Sequence, residues 1–299
     1  IVDNRLLSND IYVPKEKLNG AQDGQKVIVE MTDWPEKAKN PFGRIIDVLG
    51  DAGENETEMH AILAEYGLPY SYPDELVAEA EKIDVTISKK EIDSRLDCRK
   101  TTTFTIDPVD AKDFDDALSY KRLPNGNVEI GVHIADVSHY VTPGSPIDKE
   151  AYDRATSVYL VDRTVPMLPE KLCNLVCSLR PNEDKLCFSV VFEMTDKAEV
   201  KDYRIVKTVI CSDRRFTYEE AQEIIETEKG DFAEEILAMN ALAKQLRAAR
   251  FKQGAIAFER SEVRFNIDET GRPIGVYIKE SKDAHKLVEE FMLLANRTV

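Results

Sequence analysis

Thr105-Ile-Asp-Pro-Val-Asp-Ala-Lys-Asp-Phe-Asp-Asp-Ala117 is the stretch on which the reading of this chain turns. Five carboxylates (Asp107, Asp110, Asp113, Asp115 and Asp116) fall within ten residues, with Lys112 the one cation among them. Two carboxylates about 5 Å apart repel by roughly 3 kcal/mol at an effective dielectric near 20. A folded loop that collects five must therefore neutralise them or leave them in water, and one lysine cannot neutralise five. Hard divalent cations can, because Mg²⁺ and Ca²⁺ prefer carboxylate oxygens. The spacing excludes an EF-hand, which needs Gly at its sixth position and Glu at its twelfth; counted from Asp107 these places hold Lys112 and Leu118. The β-branched run 101–106 predicts a strand before the loop, and Ala111, Phe114 and Ala117 predict partial burial within it. A chain that leaves a strand and bends back through Pro108 can aim carboxylates from several directions at one or two ions. That arrangement holds metal against a phosphodiester. A solvated acidic turn is the alternative.

Outward from the loop, 117–122 and 128–137 read as a hairpin closed by Asn125-Gly126, which supplies the positive φ angles of a type I′ turn. Pro146 after Ser145 predicts a helix start running towards Thr156. Residues 170–179 read as a short helix, and 186–194 with 202–210 as paired strands. Thr217 and Glu220 form a capping box for a helix over 218–228. A long helix over 232–252 stops at Gly254. A hairpin is expected over 258–267 and 274–279, around 268–271. The helix over 284–296 carries Leu287, Phe291 and Leu294 on one stripe. On the other side of the loop, 10–13, 26–31 and 44–48 read as short strands of a small antiparallel barrel or its remnant. A helix over 56–65 follows inside a polar linker, 51–100, and a domain boundary is expected near residue 85.

The 299 residues carry a net charge of −16. Residues 51–81 hold nine acids and no Lys or Arg, and 219–235 hold eight acids against Lys229, so these two stretches account for the whole imbalance. The net value alone argues against a nucleic-acid binder; its confinement to two solvated faces weakens that argument. With 42% apolar and 32% charged residues, wholesale disorder is excluded. No apolar run reaches the roughly 20 residues of a membrane helix. Five cysteines without a regular framework argue against a disulfide-stapled domain. The expectation is a soluble, cytoplasmic monomer, cut at both ends because the chain opens on Ile1 and its last helix has no stop signal.

The run 106–117 resembles the first signature of the RNB catalytic domain, found in the ribonuclease II and ribonuclease R exonucleases and in the catalytic subunit of the eukaryotic exosome. Further likenesses follow in the right order. They are Gly131-Val-His-Ile-Ala-Asp-Val-Ser-His-Tyr-Val141, Arg154-Ala-Thr-Ser-Val-Tyr159, Val165-Pro-Met-Leu-Pro-Glu-Lys-Leu-Cys-Asn174, Cys177-Ser-Leu-Arg-Pro181 and the helix from Asp283 to Asn296. Residues 1–80 resemble the second cold-shock barrel that precedes RNB in the ribonuclease R branch, the closer of the two likenesses. The resemblance implies an α+β fold, with a small antiparallel cold-shock (OB-like) β-barrel and acidic linker over 1–80. A mixed, largely antiparallel sheet domain with helices then follows over 85–299, as the N-terminal portion of RNB. It further implies a hydrolytic 3′→5′ exoribonuclease that uses Mg²⁺, with Mn²⁺ able to substitute, and releases nucleoside 5′-monophosphates from single-stranded RNA. The positions matching the catalytic and metal-holding aspartates are Asp107, Asp113, Asp115 and Asp116, with Asp110 ranked below them. The position matching Tyr159 stacks on the 3′ nucleotide, and aromatic stacking holds any base at about 1–3 kcal/mol. The family pattern continues past Val299 with an arginine on the scissile phosphate and an S1 barrel.

Weaker signals are read blandly. His133 and His139, six apart on one expected strand, are read as structural. Cys173 and Cys177 have no second pair at zinc spacing and are read as core thiols. One of Glu289 and Glu290 is expected to be an exposed helix residue. Arg214 and Arg215 either contact phosphate or balance the acids at 219–235. Two other functions compete with the nuclease: an RNA-binding module without turnover, and a metal-dependent phosphoesterase for small phosphates.

Overall fold

The computed structural model describes residues 1–3, 9–256, 262–268 and 272–299. The chain divides into two compact units. The first comprises Ile1–Tyr72, Ser157–Val165 and Ile267–Pro273, and the second comprises Pro73–Thr156, Pro166–Asn266 and Ile274–Val299.

In the first unit β1 (Gln25–Asp33) and β2 (Phe42–Asp51) pair antiparallel. Their register shifts at three places, as suits a strongly coiled small sheet. Helix α1 (Asn55–Glu65) follows, with Leu63 buried. The strand expected over 10–13 reduces to one parallel bridge between Tyr12 and Phe42, because Pro14 ends the extended run almost at once.

The second unit begins with α2 (Asp74–Glu81), α3 (Lys89–Asp93) and β3 (Leu96–Asp97). The expected linker is therefore partly structured: the hydroxyl of Ser88 caps α3 by accepting from the Glu91 N–H at 3.2 Å. Next come β4 (Thr102–Asp107), β5 (Asp116–Arg122) and β6 (Val128–Ala135). Gly126 takes φ +88° in the turn joining the last two. Short α4 (Val137–Tyr140) precedes α5 (Pro146–Arg154), whose Ser145 cap accepts from the Asp148 N–H at 3.1 Å. Strands β7 (Val158–Tyr159) and β8 (Thr164–Val165) pair with each other and belong to the first unit.

Back in the second unit, Lys171–Val176 forms a π-helical turn rather than the expected α-helix, its close marked by Cys177 N–H donating to the Leu172 carbonyl at 2.9 Å. The long pair β9 (Asp184–Met194) and β10 (Val200–Cys211) follows, then β11 (Arg214–Thr217), α6 (Tyr218–Thr227) and α7 (Ala233–Lys252). β12 (Glu262–Ile267) and β13 (Pro273–Lys279) form a two-stranded sheet, and α8 (Asp283–Thr298) ends the chain. The start of that expected hairpin, 258–261, and its turn, 269–271, lie outside the described residues.

Seven strands make one sheet in the order β11-β4-β5-β6-β9-β10-β3. Its two edge pairings, β11 with β4 and β3 with β10, are parallel, and the rest are antiparallel. One face carries Phe104, Leu118, Ile130, Val132, Val190, Phe192 and Phe216, which pack against Ile236, Met239 and Leu242 of α7 and Leu287 and Phe291 of α8. The alternation of period two places the intervening residues on the opposite face. There Thr103, Thr105, Ser119, His133, Ser189 and Thr208 are all buried, so that face is polar rather than wet. His133 is on β6, whereas His139 lies on α4, so the two do not share a strand face. The His133 ring bonds Ser189 Oγ at 2.7 Å and Ser119 Oγ at 2.9 Å, and Ser189 bonds Thr208 at 2.6 Å.

Candidate metal centre

The aspartate loop is the connection between β4 and β5, and its backbone is tied down on three sides. Ser178 Oγ accepts from the Phe114 N–H at 3.0 Å and donates to the Lys112 carbonyl at 2.9 Å. Leu179 N–H donates to the Phe114 carbonyl at 2.8 Å, and Ala135 N–H to the Asp115 carbonyl at 2.9 Å. From β11, the Arg215 guanidinium donates to the Pro108 carbonyl and lies 5.5 Å from the centre of the Phe114 ring.

This brace brings four aspartates into one electrostatic group. Asp107, the last residue of β4, is buried and accepts from Thr105 Oγ1 at 2.5 Å. Burial, with repulsion from Asp116 and Asp113, pushes its carboxyl up to about 7 against the pull of the Thr105 hydroxyl and Arg215. Asp115 reaches solvent, yet the protein crowded around it and the charges of Asp113 and Asp116 push it up to about 6. Asp116 opens β5, and desolvation raises it too. Asp113 is half-buried and Asp110 exposed. Tyr218, at the start of α6, is held at about 12 by burial and then by the charges of Asp116 and Asp107, so its phenol stays protonated beside them. Its ring stacks on His285 of α8, centroids 4.0 Å apart and 5° from parallel.

The donor chemistry fits a hard divalent cation: several carboxylates share a partly desolvated place with too little positive charge. Among the described residues, however, no three His, Cys, Asp or Glu side chains already converge as a coordination shell. Tyr159 is exposed, on β7 of the first unit.

Other expected residues find definite places. Arg214 pairs with Asp231 and, at 3.3 Å, with Glu220, so it balances the acidic stretch. Arg215 instead reaches the aspartate loop. Glu290 is buried and takes Arg250 through both carboxylate oxygens, whereas Glu289 is the more exposed and meets Arg250 at 3.2 Å. Burial pushes the thiols of Cys173 and Cys177 up to about 12, as befits inert near-core cysteines. The sequence reading missed Thr105, Ser178, Arg215 and Tyr218 as neighbours of the aspartates. Ser178 lies in a matched motif and Tyr218 follows the capping Thr217, but only the fold brings residue 178, on the loop before β9, and residue 215, on β11, to residue 114.

The RNB domain model matches residues 95–299, and a cold shock domain model matches residues 1–73. The chain belongs to the RNB-domain family. Ribonuclease R of Thermotoga maritima is 41% identical over 307 aligned residues, covering 100% of this chain and 43% of that protein. DIS3-like exonuclease 2 of Xenopus tropicalis is 41% identical, covering 91% of this chain and 35% of that protein. The solved RNase R of Mycoplasma genitalium, in complex with ribose methylated single-stranded RNA, superposes with TM-score 0.89 at 25% identity. It covers 97% of this RNB-family chain and 46% of the solved one. The chain thus spans less than half the length of these relatives. Among the described residues no helix is long and apolar enough to cross a membrane.

Proposed function

We propose that this chain is the metal-holding portion of a hydrolytic 3′→5′ exoribonuclease. It acts on single-stranded RNA with Mg²⁺, for which Mn²⁺ substitutes, and releases nucleoside 5′-monophosphates. Residues 1–80 act as the cold-shock RNA-binding part with its acidic linker, and residues 85–299 as the N-terminal portion of the catalytic part. The observation that carries the reading is the crowding of Asp107, Asp113, Asp115 and Asp116 on the β4–β5 loop, where desolvation, then repulsion from neighbouring aspartates, raises Asp107 and Asp115, and desolvation raises Asp116. The RNB-domain match and the ribonuclease R likeness supply the reaction class.

In this reading the four aspartates hold the ion, which when bound polarises the phosphate and lowers the pKa of the attacking water. The rest is the work of the chain. The Thr105 hydroxyl orients the carboxylate of Asp107. The ties from Ser178, Leu179 and Ala135 keep the loop from splaying under its own repulsion. Tyr159 stacks on the terminal base and holds RNA without reading its sequence.

Mn²⁺ binding to this chain, with and without the pair Asp115→Asn and Asp116→Asn, tests the reading directly. Binding that vanishes in the double variant while the circular dichroism spectrum stays unchanged is the expected result. RNA binding with no metal bound by either chain, and no Mg²⁺-dependent cleavage in a protein of the relatives' full length, would favour the binding module.

A further inference from the structure

Among the described residues, Arg215 is the cation that an element far away in sequence places beside Asp107. It sits on β11, opposite Thr105 of β4 in the parallel register. Phe216 and Phe104 turn to the core, so Arg215 and Thr217 share the face of Thr105 and Asp107. The guanidinium uses one nitrogen on the Pro108 carbonyl, at the entrance of the loop, and spreads over the Phe114 ring, at its exit. Its Nε is buried without a hydrogen-bond partner. Through these two contacts one side chain links opposite ends of the loop.

We propose that Arg215 is a positioning residue for the metal centre, which clamps the two ends of the aspartate loop so that Asp107 and Asp113–Asp116 can converge on one cation. This rests on the proposed metal-dependent function. The clamp and the charge of Arg215 act in opposite directions on metal affinity. A positive charge beside the carboxylates repels a divalent cation, so its removal alone tightens binding. Loss of the clamp weakens binding, because the ties from Ser178, Leu179 and Ala135 hold residues 112–115 and leave the Pro108 end of the loop free to splay under its own repulsion. The clamp dominates.

Two readouts on this chain separate the outcomes. Amide hydrogen exchange across residues 108–116 should speed at least about tenfold in Arg215→Ala, with the protection of α7 and α8 unchanged. Mn²⁺ affinity, read from the electron paramagnetic resonance signal of the free ion, should fall about tenfold in Arg215→Ala and less in Arg215→Lys, which keeps a donor for Pro108 but not a planar group for the ring. Phe114→Leu removes the ring alone and should weaken Mn²⁺ in the same direction, serving if Arg215→Ala does not fold. Unchanged exchange, or Mn²⁺ binding equal to or tighter than the parent chain in the folded variants, overturns the clamp. If the unsubstituted chain binds no Mn²⁺, the metal-centre reading fails, and the exchange readout still decides whether Arg215 fixes the loop.

Discussion

Asp116 and Asp107 are neighbours with different exposures to water, and each makes its own prediction. Asp116→Asn removes one charge with almost no change of shape. In a protein of the relatives' full length it should abolish cleavage, by at least about 100-fold as for other removed electrostatic contacts, while RNA affinity stays within about twofold. Equal loss of both would mean that the aspartates serve the fold. Asp107 has a folded pKa near 7, above the ordinary carboxylate value of 3.8. Its protonated form therefore favours the folded state, in full below about pH 4, and that contribution is lost as pH rises through 7. A divalent cation replaces the proton, so Mg²⁺ should raise the melting temperature more at pH 8 than at pH 5. In Asp107→Asn the difference between the two pH values should shrink, which a calorimetric comparison checks.

His133 belongs to an argument about elements, because its hydrogen bonds join β5, β6 and β9 and, through Ser189, reach β10. Complete burial holds its pKa down to about 4 against 6.5. The unfolded chain thus takes up a proton that the folded one refuses. Stability from this group is present above about pH 6.5 and lost as pH falls towards 4, by about 3 kcal/mol in all. This slope opposes that of Asp107 over the same range, so acid melts should be compared between the parent chain and Asp107→Asn to separate them. At the start of α6, Thr217 N–H meets Glu220 Oε2 at 2.8 Å and the Glu220 N–H meets Thr217 Oγ1 at 3.0 Å. Thr217→Ala should cost about 1 kcal/mol in urea unfolding. It should also loosen the Tyr218–His285 stack, because Tyr218 is the first residue of that helix.

Elements of this kind were the most legible part of the sequence. The Asn125-Gly126 hairpin, the Ser145 and Thr217 caps and the β9–β10 pair announce themselves through turn chemistry and alternation, which are local properties. The aspartates are legible as a group for the same reason, since all five fall within ten residues. Arg215 is not: in the sequence it stands beside Arg214 as a basic pair, yet Arg214 turns to Asp231 and Arg215 to Pro108. Strand alternation sends them to opposite faces, and nothing local says which face holds the metal centre. The π-turn at Lys171–Val176 was also hidden, because a pattern of apolar residues does not distinguish i+4 from i+5 hydrogen bonding.

For the whole molecule, the relevant fact is that relatives such as the Thermotoga maritima ribonuclease R are more than twice as long, with 43% of that protein matched. The family resemblance assigns to the later part a phosphate-contacting arginine, worth several kcal/mol of transition-state stabilisation. The 299-residue chain should therefore hydrolyse RNA at least about 100-fold more slowly than a protein of full length under matched conditions. Equal rates would show that the described aspartates suffice.

The parallel pairing of β11 with β4 also sets when the protein can fold. Asp213 accepts from the Thr103 N–H across 110 residues of chain, and Phe216 packs edge-on against Phe104 with ring centroids 5.6 Å apart. During synthesis β4 leaves the ribosome well before its outer neighbour, as an unpaired edge that invites another strand. Contacts this distant in sequence slow folding, because loop closure precedes any reward. The centre is thus assembled late: the aspartates emerge first, but a nascent chain ending before Arg214 has neither the strand that covers them nor the arginine that spans their loop.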